Sequence, residues 1–134
     1  MPETITSSLV SETPAAAPAA ALAHFRRLLE YETDCWDVHE SMATGRRDFV
    51  LLDVRGRGAW DQGHIDGAVH VPHSELTAEA LAEYPTDTLF VAYCAGPHCN
   101  GADKAAVRLA SLGRPVKKMI GGATGWLDEG FELV

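Results

Sequence analysis

The stretch LFVAYCAGPHCNGADKAA, Leu89 to Ala106, decides how this chain is read. An apolar run of strand length stops at Cys94, a loop containing Gly96 and Pro97 follows, and Cys99 comes five positions later. Ala102, Ala105, Ala106, Leu109 and Leu112 then recur at helical spacing, and Gly113 stands where a helix C-terminus favours a left-handed residue. This is a strand, a tight loop and a helix, with a cysteine at the carboxyl end of the strand.

The same alternation extends in both directions. FVLLDV, Phe49 to Val54, is a continuous apolar run, as expected of a strand covered on both faces. AVHV, Ala68 to Val71, reads as a second short strand ended by Pro72, and VKKMI, Val116 to Ile120, as the last one. Thr77 is placed to cap a helix reaching about Tyr84, with Leu76 and Leu81 as a hydrophobic staple and Pro85 as the stop. Trp126 and Leu127 anchor a closing helical turn. Upstream, a weak extended piece around Cys35 and Trp36 precedes a short helical stretch, Val38 to Thr44, closed by Gly45. Leu22, Phe25, Leu28 or Leu29 and Glu32 predict an N-terminal helix over 19–32, with Pro18 suited to its first turn. Residues 1–18, rich in Ala, Pro, Ser and Thr, read as a disordered tail. No internal repeat is present.

Strands alternating with helices across short links predict an α/β fold with a doubly wound parallel sheet. Ligands of such sheets bind outside the carboxyl ends of the strands. The Cys94 loop therefore stands where function is expected.

Bulk properties narrow the class. At 134 residues the chain is one domain, and 46% hydrophobic with 22% charged residues is ordinary for a globular protein. A net charge of −8 with scattered Lys and Arg argues against nucleic acid as a partner. No segment approaches the roughly 20 apolar residues of a membrane span. Glu3 stands where a signal peptide would be basic, so a cytoplasmic location is expected. Cytoplasmic cysteines are more often reactive or metal-binding than structural, and three is an odd number for a stapled scaffold.

The loop itself favours an anion. N–H groups at a helix start, together with the positive end of its dipole, stabilise negative charge, and the Cys94 thiolate is the nearest candidate. The same cradle suits an oxyanion or a persulfide. Cys94 is thus read as a nucleophile in an anion-binding loop of Ala95, Gly96, Pro97, His98, Cys99, Asn100 and Gly101. Other readings stay open: a core-filling thiol, zinc held by Cys94, His98 and Cys99 with a fourth ligand unassigned, or a Cys94–Cys99 disulfide serving a redox or resolving step. Cys99 is either that resolving thiol or a small apolar residue packing the loop. The chosen reading needs no metal and no cofactor.

Four segments in order resemble the single-domain rhodanese-like (sulfurtransferase) family: LLDVR (Leu51 to Arg55), GHIDGAVHVP (Gly63 to Pro72), the strand-end Cys94 with its loop, and MIGGATGW (Met119 to Trp126). The resemblance covers 33–134, which it makes a rhodanese-like domain. It implies a three-layer α/β/α architecture with a five-stranded parallel sheet. It also implies that Cys94 takes sulfane sulfur from a small donor such as thiosulfate or a persulfide, holds it as a persulfide, and passes it to a thiol or to cyanide. Asp53 and Arg55 become supports beside the site. The family's loop usually carries an arginine five residues after the cysteine; here that position is Cys99, and the loop is longer, as in a variant subgroup. Without that cation, thiosulfate:cyanide activity is expected to be weak, and phosphatase or arsenate reductase chemistry is disfavoured. A non-catalytic module of this fold that binds a partner is the alternative, as is a thiol redox protein using both cysteines. A homodimer is left open. His98 is placed to assist the thiolate or donor, His64 to tie its turn, and Trp60 and Trp126 to pack the core or border the site. Cys35 is read as an ordinary buried thiol.

Overall fold

The two continuous apolar runs become the middle of the sheet. A computed structural model describes residues 7–134, so residues 1–6 of the expected tail lie outside the described residues. Its elements in chain order are α1 (Pro18–Tyr31), β1 (Glu32–Thr33), α2 (Cys35–Ala43), β2 (Val50–Asp53), α3 (Arg57–Gln62), β3 (Val69–His70), β4 (Phe90–Tyr93), α4 (Gly101–Ser111), β5 (Val116–Met119) and α5 (Gly122–Asp128). A single 3₁₀ turn, His73–Glu75, follows β3.

All five strands pair in parallel in the order β1-β5-β4-β2-β3. Leu51 aligns with Val91 and Asp53 with Tyr93, so β2 and β4 end level with one another. Side chains alternate between faces of a strand, which splits the core in two. Leu52, Phe90 and Ala92 pack with Ala105 and Leu109 of α4 on one face. Leu51, Val91 and Tyr93 pack with Met119 and Trp126 on the other, beneath α2 and α5. Burial on both faces is why these strands are apolar but for Asp53 at the end of β2.

The chain leaves β2 toward β3 on one side, then returns through β4 to β5 on the other. The loop after β4 therefore opens at the reversal point of the sheet, where doubly wound folds bind ligands.

Three element expectations are corrected. The helix expected from Thr77 to Tyr84 is instead a run of turns. Thr77 does make its cap bond, accepting from Ala80 N–H at 3.1 Å, and Leu76 and Leu81 are buried. Only Leu81 N–H reaches four residues back, to the Thr77 carbonyl; those of Ala82 and Tyr84 turn to carbonyls three residues back, and Arg114 takes up the carbonyls of Leu81, Tyr84 and Pro85 at the end of the run. The extended piece lies at Glu32–Thr33 rather than at Cys35–Trp36, and the helix after it starts at Cys35. Its start is set by Asp34, whose side chain accepts from Asp37 N–H at 2.8 Å. Helix α3 had no expectation, since Gly56 and Gly58 give its segment the look of a loop. It is held by Trp60, which stacks on His64 at 3.4 Å and on His70 at 4.9 Å between ring centroids.

Helix α1 packs against β5 and the edge strand β1 and buries no residue completely, leaving Leu22, Phe25 and Leu29 exposed. Residues 7–17 before it are exposed and contain neither helix nor strand.

Candidate active site

Cys94 is the first residue beyond β4, and its side chain is 7% exposed at the top of the core. Its backbone is clamped from the side. The Cys94 carbonyl accepts from Ala123 N–H and the Ala95 carbonyl from Thr124 N–H, both at 2.9 Å, so the first turn of α5 holds the start of the loop. Gly122 makes this contact feasible. It sits at φ +61°, and a β-carbon there would lie 2.5 Å from the Cys94 carbonyl oxygen and 2.8 Å from Gly96 N. Cys35 supports the same turn from below, its thiol donating to the Ile120 and Gly122 carbonyls at 3.5 and 3.7 Å. Burial, followed by the carboxylates of Asp34, Glu129 and Asp128, pushes that thiol up to about 11, so it stays protonated and inert at neutral pH.

The other end of the loop feeds α4. Cys99 N–H donates to the Gly96 carbonyl at 3.1 Å, which curls the loop back over Cys94. Asn100 stands at the N-cap without a side-chain cap bond, and Gly101 N–H donates to Cys99 Sγ at 3.4 Å. Cys94 and Cys99 are joined as a disulfide, with Cα atoms 6.4 Å apart. Among the readings open from sequence, this structure therefore adopts the paired one.

Two cavities flank the sulfur pair. The first, of about 270 Å³, is lined by the loop from Gly96 to Asn100 and by Asp103, Lys118 and Gly122. The second, of about 340 Å³, opens between Arg55, His73, Ala95 and Gly101. Every loop residue singled out from sequence lines one or the other, and Cys94 and Cys99 line both. His73 borders the second with a buried Nδ1 that lacks a hydrogen-bond partner.

Lys118 was not legible as a site residue. It enters the first cavity from β5, and its Nζ lies 3.1 Å from Asp103 Oδ1 of α4. A lysine in VKKMI carries no signal of where it points; the register of β5 beside β4 decides that.

Asp53 and Arg55 form a buried brace beside the site. Their side chains are 0% and 9% exposed, Arg55 Nη2 lies 2.7 Å from Asp53 Oδ2, and the same nitrogen donates to the Gly63 carbonyl at 2.6 Å. Tyr93, immediately before Cys94, completes it by donating its hydroxyl to Asp53 Oδ2 at 2.6 Å while accepting from Ile65 N–H at 3.1 Å. Burial and then the Asp53 hydrogen bond raise the Tyr93 phenol far above its ordinary range, so it remains a donor. A hydroxyl inside the apolar run LFVAY was the one signal that β4 carried a buried polar contact. His64 hydrogen-bonds the Trp60 carbonyl at 2.9 Å, as expected of a residue tying its turn. Neither Trp60 nor Trp126 lines either cavity beside the sulfurs, while the exposed His98 lines the first.

Among the described residues no helix is long and apolar enough to cross a membrane. The chain is 40% identical over 87 residues to an HTH-type transcriptional regulator of Mycobacterium tuberculosis, covering 64% of this chain and 38% of that protein. It is 34% identical over 94 residues to the "Probable adenylyltransferase/sulfurtransferase MoeZ" of the same species, covering 69% and 24%. It thus spans well under half the length of these curated relatives. Among solved structures, the BH2092 protein of Bacillus halodurans superposes with a TM-score of 0.85 at 34% identity, covering 88% of this chain and 86% of that one. The rhodanese-like domain of the Alr3790 protein from Anabaena superposes at 0.70 with 27% identity, covering 78% and 79%. The rhodanese-like domain family matches residues 36–129, most of the chain and all of the architecture around Cys94, and the chain belongs to that family.

Proposed function

We propose that this chain is a sulfurtransferase that carries sulfane sulfur on Cys94. The observation behind the reading is the seat of Cys94, at the carboxyl end of the central strand and against the N-terminus of the eleven-residue helix α4. An ordinary thiol is only about 3% ionised at pH 7, and helix N-termini lower its pKa by one or more units. That shift raises the share of the reactive thiolate. The thiolate attacks the outer sulfur of the donor, the donor S–S bond breaks, and the leaving group departs with the electron pair. Cys94 then holds the sulfur as a persulfide. A thiol or cyanide acceptor attacks that outer sulfur, and Cys94 leaves again as thiolate. The Cys94–Cys99 disulfide has to be reduced before the cycle starts, which suits a reducing compartment such as the cytoplasm.

Charge in the first cavity selects the donor. Lys118 is the lysine in its lining, and Asp103 neutralises it. A doubly charged donor such as thiosulfate meets no unpaired cation there, so thiol-borne persulfides and polysulfides are the favoured class. The match to a relative whose name includes sulfurtransferase agrees with this chemistry.

The reading is tested on reduced Cys99→Ser protein, in which the second sulfur cannot intervene. Incubation with glutathione persulfide adds one sulfur atom by intact mass, and the Cys94→Ser/Cys99→Ser protein gains none. If no sulfane donor leaves an adduct, the chain is instead a binding module of the same fold.

A further inference from the structure

We infer that Cys99 converts the Cys94 persulfide into hydrosulfide, making the chain a sulfane-sulfur reductase whose own dithiol supplies the electrons. The inference rests on the Cys94 persulfide proposed above, and it adds a product, a second reacting residue and a class of partner.

Four observations carry it. The sulfurs of Cys94 and Cys99 are bonded, and their Cα atoms are 6.4 Å apart, inside the range of native disulfides. The loop that bonds them is also the loop that cradles Cys94: it is pinned at its start by Ala123 and Thr124 and curled by the Cys99-to-Gly96 bond. Gly101 lacks the β-carbon that would lie 2.6 Å from Cys94 Sγ and 3.4 Å from Cys99 Sγ. Its N–H donates to Cys99 Sγ at 3.4 Å, which favours that sulfur as an attacking thiolate too. A neighbour held this way attacks at an effective concentration far above that of free thiols.

The chemistry balances within the chain. The Cys99 thiolate attacks Sγ of Cys94, the inner sulfur of the persulfide. The Cys94–Cys99 bond forms, the bond to the outer sulfur breaks, and that sulfur leaves with the electron pair as hydrosulfide. Two cysteine thiols are oxidised to a disulfide as one sulfane sulfur is reduced by two electrons. A dithiol reductant, a small molecule or a dithiol protein, then resets the site. Cys99 is half-buried while Cys94 is 7% exposed, so the incoming thiolate attacks Cys99 and expels Cys94. The start of α4 lies against both sulfurs, so access rather than thiolate stability sets this direction.

The test is an anaerobic single turnover of the reduced chain, followed to completion with thiosulfate in large excess to offset the weak binding of that dianion, without added thiol, reading sulfite, hydrosulfide and intact mass. The wild type is expected to yield sulfite and hydrosulfide in equal amounts and to end two hydrogens lighter. Cys99→Ser is expected to yield sulfite, gain one sulfur atom and release no hydrosulfide; dithiothreitol then liberates the hydrosulfide. If the wild type keeps the added sulfur, on Cys94 or on Cys99 by peptide mapping, the inference is overturned while the persulfide reading stands. If Cys99→Ser, checked for folding by circular dichroism, takes sulfur from neither thiosulfate nor glutathione persulfide, both fall together.

Discussion

Cys94 and Cys99 are the same side chain made different by what surrounds them. Cys94 closes a buried strand and faces a helix start; Cys99 stands half-buried in the loop that folds back over it. The third cysteine, Cys35, gives its thiol proton to the Ile120 and Gly122 carbonyls, and burial with three nearby carboxylates raises its pKa and silences it. The family's missing loop arginine was visible in the sequence, but its nearest substitute was not. Lys118 reaches the cavity from β5, and Asp103 holds it at 3.1 Å. With the two side chains 30% and 55% exposed, the pair is worth only about 0.2–1 kcal/mol. Asp103→Asn frees the ammonium, and KM for thiosulfate is expected to fall by about two- to fivefold in steady-state assays. The gain should shrink as salt is added, because the site is open to solvent. An unchanged KM would remove Lys118 from donor binding.

Helix α5 does more than close the chain. Its first turn carries two N–H groups to the carbonyls of Cys94 and Ala95, and it approaches that closely because residue 122 has no side chain. Gly122→Ala places a β-carbon against three backbone atoms of the loop, none of which is free to swing away. Sulfur loading is expected to slow by about 10- to 100-fold in stopped-flow measurements, the scale of an ångström-sized misplacement of a reacting group. Gly113→Ala is the matched control: φ there is +77° with nothing within 4 Å, so it brings similar backbone strain without touching the loop. Its expected effect is about 1 kcal/mol of stability and no change in loading rate. MIGGATGW was legible as a motif; that it is a clamp on the Cys94 loop was not, since residues 94 and 122 meet only across β4 and β5. The short elements were hard to place for a related reason. The turns after Thr77 have helical spacing and a working cap, yet the N–H groups of Ala82 and Tyr84 bond three residues back, and a guanidinium from another segment closes the run.

The sheet and its flanking layers are tied at one buried point beside the site. Asp53 on β2 receives Arg55, which reaches on to the Gly63 carbonyl, and receives the hydroxyl of Tyr93 on β4. Asp53→Asn leaves a guanidinium buried without its charge partner, and urea unfolding is expected to show a loss of about 3–5 kcal/mol. A loss below about 1 kcal/mol would mean that water takes over the partner's role. The amino-acid sequence by itself determined the class of fold and the position of Cys94, because both follow from local patterns: apolar runs of strand length, helical spacing, and a glycine-rich break between them. The pairing of Cys94 with Cys99, the lysine in the cavity, the clamp from α5 and the Asp53 brace were decided only by tertiary structure. Each joins residues through distance and direction in space, and those depend on strand order and register rather than on any one segment.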